Sequence, residues 1–306
     1  MPKFTIVMPC YNAEATLHET IASIVSQTFT DWELICIDDN SKDSTWQILT
    51  DYTKKDSRIR AFWNPGRGPS AARNYAALVE AEGDYIAFCD ADDVWVREKL
   101  AQLDETFHTN LVDACYGQIG FFDTDVNHVS TYSTVSTKPL TIDQLLGENP
   151  VCTLSNLTVR RNSMLTYGGF DYRLVHNEDL EWLIRLVGQG AKIVGMNSHQ
   201  VWYRASPNGL SRDLQAMAEG RSFALKTAAE FGYAVPRQAE AIHLRYLSRR
   251  ALRMGHGRLV AARLALKGLI TSPSGFMSPP RRGAMTFLGA MSNLIMPRKL
   301  SRVLFA

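Results

Sequence analysis

The sequence predicts an α/β protein built on a doubly wound, mixed sheet that carries a helical appendage at its C-terminal end. Three observations carry that expectation. Four short apolar runs alternate with amphipathic segments over the first hundred residues, each run stops on polar residues, and charge is divided unequally along the 306-residue chain. Strands alternating with helices, with crossovers long enough for parallel pairing, specify an open sheet.

Residues 4 to 8, Phe-Thr-Ile-Val-Met, form the first expected strand, which Pro9-Cys10-Tyr11-Asn12 ends. Leu17, Ile21, Ile24 and Val25 then recur at helical spacing. The second strand, residues 33 to 37, runs into Asp38-Asp39-Asn40-Ser41, with Ser41 as N-cap of a helix marked by Trp46, Leu49 and Tyr52. A third strand at 59 to 63 precedes Gly66-Arg67-Gly68-Pro69, and Ser70 is placed to cap an alanine-rich helix. The fourth run, Tyr85-Ile86-Ala87-Phe88-Cys89, ends on Asp90-Ala91-Asp92-Asp93. A helix beginning near Val96 carries Leu100, Leu103 and Phe107. Residues 114 to 122 and 129 to 134 suggest a hairpin, an antiparallel insertion that makes the sheet mixed. Strand character returns at 151 to 159, at 193 to 194 and at 201 to 203, and Glu178-Asp179 opens a helix carrying Leu180, Leu183, Ile184 and Leu186.

Composition narrows the class. The formal net charge is +2 and 45% of residues are hydrophobic. Residues 235 to 306, however, hold thirteen basic residues against one acid, Glu240, for +12, while the first 234 residues carry −10. A boundary follows between a domain over 1–234 and a basic helical tail over 235–306. Five scattered cysteines form no Cys-x-x-Cys pair and read as small core residues of a reducing compartment. No signal-like segment precedes Phe4 and no run reaches the roughly 18 apolar residues of a spanning helix, so a cytoplasmic protein, peripheral on the membrane face at most, is expected.

Ligands of open α/β sheets sit at the carboxyl ends of the strands. Polar residues at all four ends therefore share one crevice. Tyr11 can stack on a nucleobase, and Asp39 can accept a bond from a pyrimidine imide N–H or serve only as a turn residue. Arg67 and Arg73 can hold base or phosphate. Three carboxylates within four residues, Asp90, Asp92 and Asp93, repel one another unless a hard cation such as Mg²⁺ or Mn²⁺ relieves them, although Asp92 or Asp93 can also be a helix cap. Of Glu178 and Asp179, pointing about 100° apart on a helix, one can bond the scaffold while the other faces the crevice. Arg204 and Ser211 can contact a diphosphate.

Taken in order, Pro9-Cys10-Tyr11-Asn12, Ser26-Gln27, Asp38-Asp39-Asn40-Ser41, Ala72-Arg73-Asn74, Asp90-Ala91-Asp92-Asp93, Gly168-Gly169-Phe170-Asp171 and Glu178-Asp179 resemble the family two glycosyltransferases of the GT-A, Rossmann-like fold, over roughly residues 3 to 212. The resemblance implies an inverting, metal-dependent enzyme that moves a sugar from a nucleoside diphosphate, usually UDP, to an acceptor hydroxyl, in surface polysaccharide or glycolipid synthesis. It places Pro9, Tyr11, Asn12, Asp39, Arg67, Arg73, Asp90, Ala91, Arg204 and Ser211 around the donor and Asp92 on the Mn²⁺ or Mg²⁺. It makes Asp179 the general base, with Glu178 and Trp182 on the acceptor side. A His that usually separates the later Arg and Ser is absent from Pro207-Asn208-Gly209.

Two alternatives use the same crevice. A nucleotidyltransferase would place a Gly-rich basic loop after the first strand, where Tyr11-Asn12-Ala13-Glu14 stands. A silent sugar-nucleotide-binding or scaffolding subunit would be expected to lack Asp92 or Asp179. The basic tail lacks a groove-reading motif, so no nucleic-acid partner is expected. Its leucines, from Leu244 to Leu269, interleave with arginines, and a second apolar piece spans 285 to 296. This is the composition of helices that lie on an anionic membrane surface, the alternative being helices that pack on the protein itself.

Overall fold

A computed structural model describes residues 1–205, 213–254, 257–297, 300 and 304. The chain divides into two compact units, Met1–Leu140 with Pro150–Gly209, and Thr141–Asn149 with Leu210–Ala306.

The first unit is a mixed α/β layer structure. Its described residues contain strands β1 (Phe4–Cys10), β2 (Trp32–Asp38), β3 (Ile59–Trp63), β4 (Tyr85–Phe88), β5 (Val94–Trp95), β6 (Ala114–Phe122), β7 (Val129–Tyr132), β8 (Leu157–Arg160) and β9 (Ile193–Arg204). They form one sheet in the order β3-β2-β1-β4-β8-β6-β9-β5, with β7 on β6. The first four pair in parallel, whereas β8 runs antiparallel to both β4 and β6. Helices α1 (Leu17–Val25), α2 (Thr45–Lys55), α3 (Gly68–Asn74) and α4 (Lys99–Thr109) make the crossovers. Parallel strands covered on both faces need continuous apolar sequence, and Phe4, Ile6, Val7, Met8, Leu34, Ile35 and Cys36 are fully buried. The register aligns Cys10 with Asp38 and Asp38 with Trp63, so the ends of three strands lie side by side. The order reverses at β1, which lies between β2 and β4, and such a switch point opens a crevice above the sheet.

Several local expectations are corrected. The hydroxyl of Ser41 accepts the Asn12 N–H at 3.0 Å instead of capping a helix, because α2 starts four residues later. Ser70 lies inside α3 and donates to the Leu174 carbonyl at 3.0 Å. The helix near Val96 begins at Lys99. The stretches at 193–194 and 201–203 are one 12-residue strand, continued through polar positions by pairing with β6. Residues 154–156 form a 3₁₀ turn before β8, and α3 runs on into a π-helical segment, Tyr75–Glu80.

The second unit is helical, with α5 (Ile142–Gly147) and, further along the chain, α8 (Leu214–Glu230), α9 (Arg237–Met254), α10 (Arg258–Thr271), α11 (Pro273–Phe276) and α12 (Pro280–Ser292); α6 (Arg161–Tyr167) and α7 (Glu178–Gly188) belong to the first. Ala241, Ala251, Leu252, Ala261, Ala265, Phe276 and Ala290 form its core. The unit begins earlier than the charge boundary at 235 and takes in 141–149 as well. Packing explains the difference: Leu145 and Leu146 are buried, the Arg221 guanidinium of α8 donates to the Leu146 carbonyl at 3.1 Å and pairs with Glu240 of α9 at 3.0 Å. Charge counting registers neither contact.

Candidate active site

The site is built by loops that leave the β1, β2 and β4 ends. After β1 the chain turns at Asn12, whose φ is 48°. Asn tolerates this left-handed conformation better than most residues. Its side-chain oxygen accepts the Lys42 N–H at 2.7 Å while its own N–H donates to Ser41, so the first two strand-end loops are laced together. Pro9 is half-buried within β1, and Tyr11 stands 62% exposed with its ring free to meet a planar ligand. Asp39 is half-buried and accepts from Asn64 Nδ2 at 2.7 Å and from the Gly68 N–H at 2.9 Å. A carboxylate has about four acceptor sites, so Asp39 retains capacity for a ligand N–H. Arg67, on the same loop, is exposed.

At the end of β4 the three acids take different environments. Asp90 accepts Arg73 at 2.6 Å on one oxygen and Thr153 Oγ1 at 3.4 Å on the other, and its N–H donates to Ser155 Oγ at 2.8 Å. Ala91 is buried, its carbonyl accepting the hydroxyls of Thr16 and Thr20 at 2.9 and 3.1 Å. Asp93 is fully buried and points inward, where it accepts the Arg204 N–H at 3.0 Å. Burial, and then the nearby Asp92 and Asp90 carboxylates, push its pKa well up. Asp92 is half-buried, its pKa raised to about 6 by burial and by Asp90. Neither Asp92 nor Asp93 caps a helix.

Asn177, with φ 59°, introduces α7 and sets Glu178 and Asp179 in its first turn. Glu178 accepts Arg73 at 3.0 Å, and burial raises it to about 7 against the opposing pull of Arg73. Burial likewise raises Asp179. Arg73 thus ties the β4 acids to the α7 acids. A second tie is reciprocal: Asn74 accepts the Phe170 N–H at 2.8 Å and donates to the Phe170 carbonyl at 2.7 Å. Gly169 is required there, because a Cβ would collide with the Asn74 side chain.

Three expectations change. Arg73 is buried between two carboxylates and fixes the acids instead of holding base or phosphate directly. Trp182 is fully buried, donates to the Gly168 carbonyl at 2.8 Å and packs on Phe88 and Phe170, so it supports the acids from below instead of lining the acceptor side. The Arg204 guanidinium is engaged by Glu19 and by the Asp92 carbonyl at 2.9 Å, and it lies over the Phe122 ring, which makes it a clamp on the acidic turn. Ser211 lies outside the described residues.

The sequence reading missed the polar layer beneath this turn. Lys99 is fully buried, donates to the Ser155 carbonyl at 3.1 Å and has its pKa lowered to about 8 by burial. The Ser155 hydroxyl in turn accepts the Asp90 N–H at 2.8 Å, which ties this layer to the acidic turn.

Among the described residues no three His, Cys, Asp or Glu side chains converge as a self-contained metal site. The donors nevertheless fit a hard cation of the kind that takes one or two carboxylates and completes its shell with substrate phosphates and water. Asp93 is fully buried and Asp90 is partly committed to Arg73, so of the three acids Asp92 is the one that would be left to such a cation.

The fold and this grouping define an α/β enzyme of the GT-A glycosyltransferase class. The chain belongs to glycosyl transferase family 2, whose profile matches residues 5–168. It is 40% identical over 136 residues to an uncharacterized glycosyltransferase of Haemophilus influenzae, a match covering 44% of this chain and 54% of that protein. The chain thus spans about half the length of that relative. It is 32% identical over 209 residues, 68% of this chain and 79% of the other, to the Escherichia coli UDP-Glc:alpha-D-GlcNAc-diphosphoundecaprenol beta-1,3-glucosyltransferase WfgD. The mannosyltransferase PcManGT from Pyrobaculum calidifontis, solved with GDP-Man and Mn²⁺, superposes with a TM-score of 0.57 at 17% identity, over 99% of this chain and 83% of that one. At that identity the likeness is one of fold.

Proposed function

We propose that the protein is an inverting transferase that moves a hexose from a UDP-sugar to the hydroxyl of a lipid-linked glycan, on the cytoplasmic face of a membrane. One observation carries this reading: Arg73 bridges the acids at the end of β4 to the acid pair of α7. A donor-side carboxylate, Asp92, and a candidate base, Asp179, are thereby held on one rigid frame. The relation to WfgD, which acts from UDP-Glc on a diphosphoundecaprenol-linked sugar, supports the donor and acceptor classes.

Tyr11 stacks on the uracil and Asp39 accepts its imide N–H, with Asn12 shaping the loop and Arg67 at the rim. Asp90 lies where the ribose is expected, and Asp92 would hold Mn²⁺ or Mg²⁺, which would supply positive charge against the departing diphosphate. Asp179 takes the proton of the acceptor hydroxyl as that oxygen attacks the anomeric carbon from the face opposite the diphosphate, which inverts the configuration. Burial lifts its pKa above the ordinary carboxylate value, and a stronger base accepts the proton more readily. Glu178, paired with Arg73, holds the α7 turn in place.

No described helix is long and apolar enough to cross a membrane. Leu259, Leu266 and Ile270 of α10, and Met285 and Leu288 of α12, are exposed, Ile270 by 82%. Arg263 and Lys267 are exposed on α10 as well. Such surfaces suit the headgroup region of an anionic bilayer. In contrast, Leu244 and Leu252 of α9 are buried and serve the core of the unit.

A screen of nucleotide sugars with Mn²⁺, following thermal stabilisation and release of nucleoside diphosphate, tests the reading. A UDP-sugar should stabilise the protein and release UDP when a diphospholipid-linked glycan is added. Stabilisation by no nucleotide sugar would refute it.

A further inference from the structure

In the helical unit, one carboxylate faces three guanidiniums. Glu148, just after α5, lies 3.5 Å from Arg245, 3.7 Å from Arg249 and 3.4 Å from Arg282. Arg245 is almost fully buried and also donates to the Phe276 and Ser278 carbonyls, so it belongs to the scaffold. Arg249 and Arg282 are partly open to solvent. Arg253 sits one turn beyond Arg249 on α9. Burial, followed by repulsion from Arg249, Arg250 and Arg282, lowers its pKa. The one acid of residues 235 to 306, Glu240, pairs with Arg221. Among the described residues, packing therefore gathers an excess of guanidiniums around a single carboxylate.

Crowded guanidiniums repel unless an anion bridges them, and their planar forks match phosphate oxygens in pairs. From this excess we infer that Arg249, Arg253 and Arg282 form a binding site for a phosphate group, beside Glu148, which pairs with two of them. The site deepens the proposed function, on which its biological ligand rests: a lipid-linked acceptor carries a diphosphate, and an anionic lipid carries a phosphodiester. The shared chemistry is a phosphate group presented by a lipid.

The test uses the full chain with UDP added in excess to occupy the donor site. Inorganic pyrophosphate is titrated calorimetrically in one arm. In the other, vesicles of phosphatidylglycerol and phosphatidylcholine are sedimented with the protein. The paired substitution Arg249→Ala and Arg253→Ala should weaken one of these associations at least about tenfold, the loss expected for removing charge-assisted hydrogen bonds. Loss in the pyrophosphate arm identifies a diphosphate ligand, and loss in the vesicle arm alone identifies a lipid headgroup. Glu148→Gln removes the competing carboxylate and should tighten the same association, a gain that damage to the fold would not produce. UDP binding should be unchanged in every variant, and its failure in the wild type would refute the donor assignment while leaving this site intact. Equal binding by wild type and the paired variant in both arms, or no tightening in Glu148→Gln, would overturn the inference.

Discussion

Replacing Arg73 with alanine should unlock the catalytic frame in a pH-dependent way. The Arg73 side chain is 6% exposed and bonds Asp90, 29% exposed, and Glu178, 12% exposed. Removing one partner from a buried ion pair costs about 3 to 5 kcal/mol. Asp90 can recover some hydration, which places the cost near the lower end, about 3 kcal/mol. For a domain of 150 to 250 residues that lowers the melting temperature by about 6 to 12 °C. The sign with pH follows from Glu178, whose folded pKa is raised from 4.5 to about 7. The folded protein thus holds this proton more tightly than the unfolded chain, so the group's contribution to stability is greatest below about 4.5 and declines as pH rises to about 7. At pH 5 Glu178 is largely neutral and loses little with Arg73. At pH 8 it is largely ionised in the wild type, and without Arg73 its burial and the Asp179 and Asp90 carboxylates oppose that charge. Differential scanning fluorimetry at both pH values measures this. A larger fall at pH 8 is expected; equal falls, or a fall below about 2 °C at pH 8, would refute the claim that Arg73 holds the two acids together.

Tyr11→Ala should weaken UDP binding about fivefold or more while leaving the melting temperature unchanged, because an exposed ring that stacks on a base contributes about 1 kcal/mol or more to binding and little to folding; calorimetry and melting together check it. Asp92→Asn should weaken UDP binding in Mn²⁺ at least about tenfold and leave the residual affinity in EDTA as it is in the wild type, and if EDTA-treated wild-type protein retained full transfer activity the role of the cation would be wrong. Leu266→Glu with Ile270→Glu should reduce co-sedimentation with anionic vesicles at low salt without changing UDP affinity; unchanged sedimentation would remove α10 from the membrane surface.

The parallel half of the sheet was legible because strands buried on both faces write themselves as continuous apolar runs, and β1 to β4 lie where those runs lie. Asp39, Asp90 and Asp92 were legible for a related reason: a polar residue directly after such a run must stand at the strand end. The partners of these residues were not. Arg73 sits at helical spacing among alanines, as a solvated arginine would, and only the fold brings Asp90 and Glu178 to either side of it. Lys99 precedes the apolar face of α4 by one residue, and nothing local marks it as buried beneath Asp93. Trp182 was placed on the acceptor side by the family resemblance, yet its indole N–H is taken by the Gly168 carbonyl and its ring packs on Phe88 and Phe170, contacts that only the fold supplies. The boundary near 235 followed charge, whereas α5 and α8 join the helical unit through Leu145, Leu146 and Arg221, contacts that composition does not carry.

Asp179→Asn tests the central claim most directly, because it separates holding the donor from transferring the sugar. The amide occupies the same space but cannot take a proton. UDP affinity should stay within about twofold of the wild type, while kcat for transfer falls by about 10² to 10⁴, the usual worth of general-base assistance. The wild-type rate should fall on acidification through a pKa above the ordinary aspartate value, since burial raises Asp179 and only its ionised form accepts the proton. A variant that keeps more than about a third of the wild-type kcat would contradict this account and pass the role of base to Glu178.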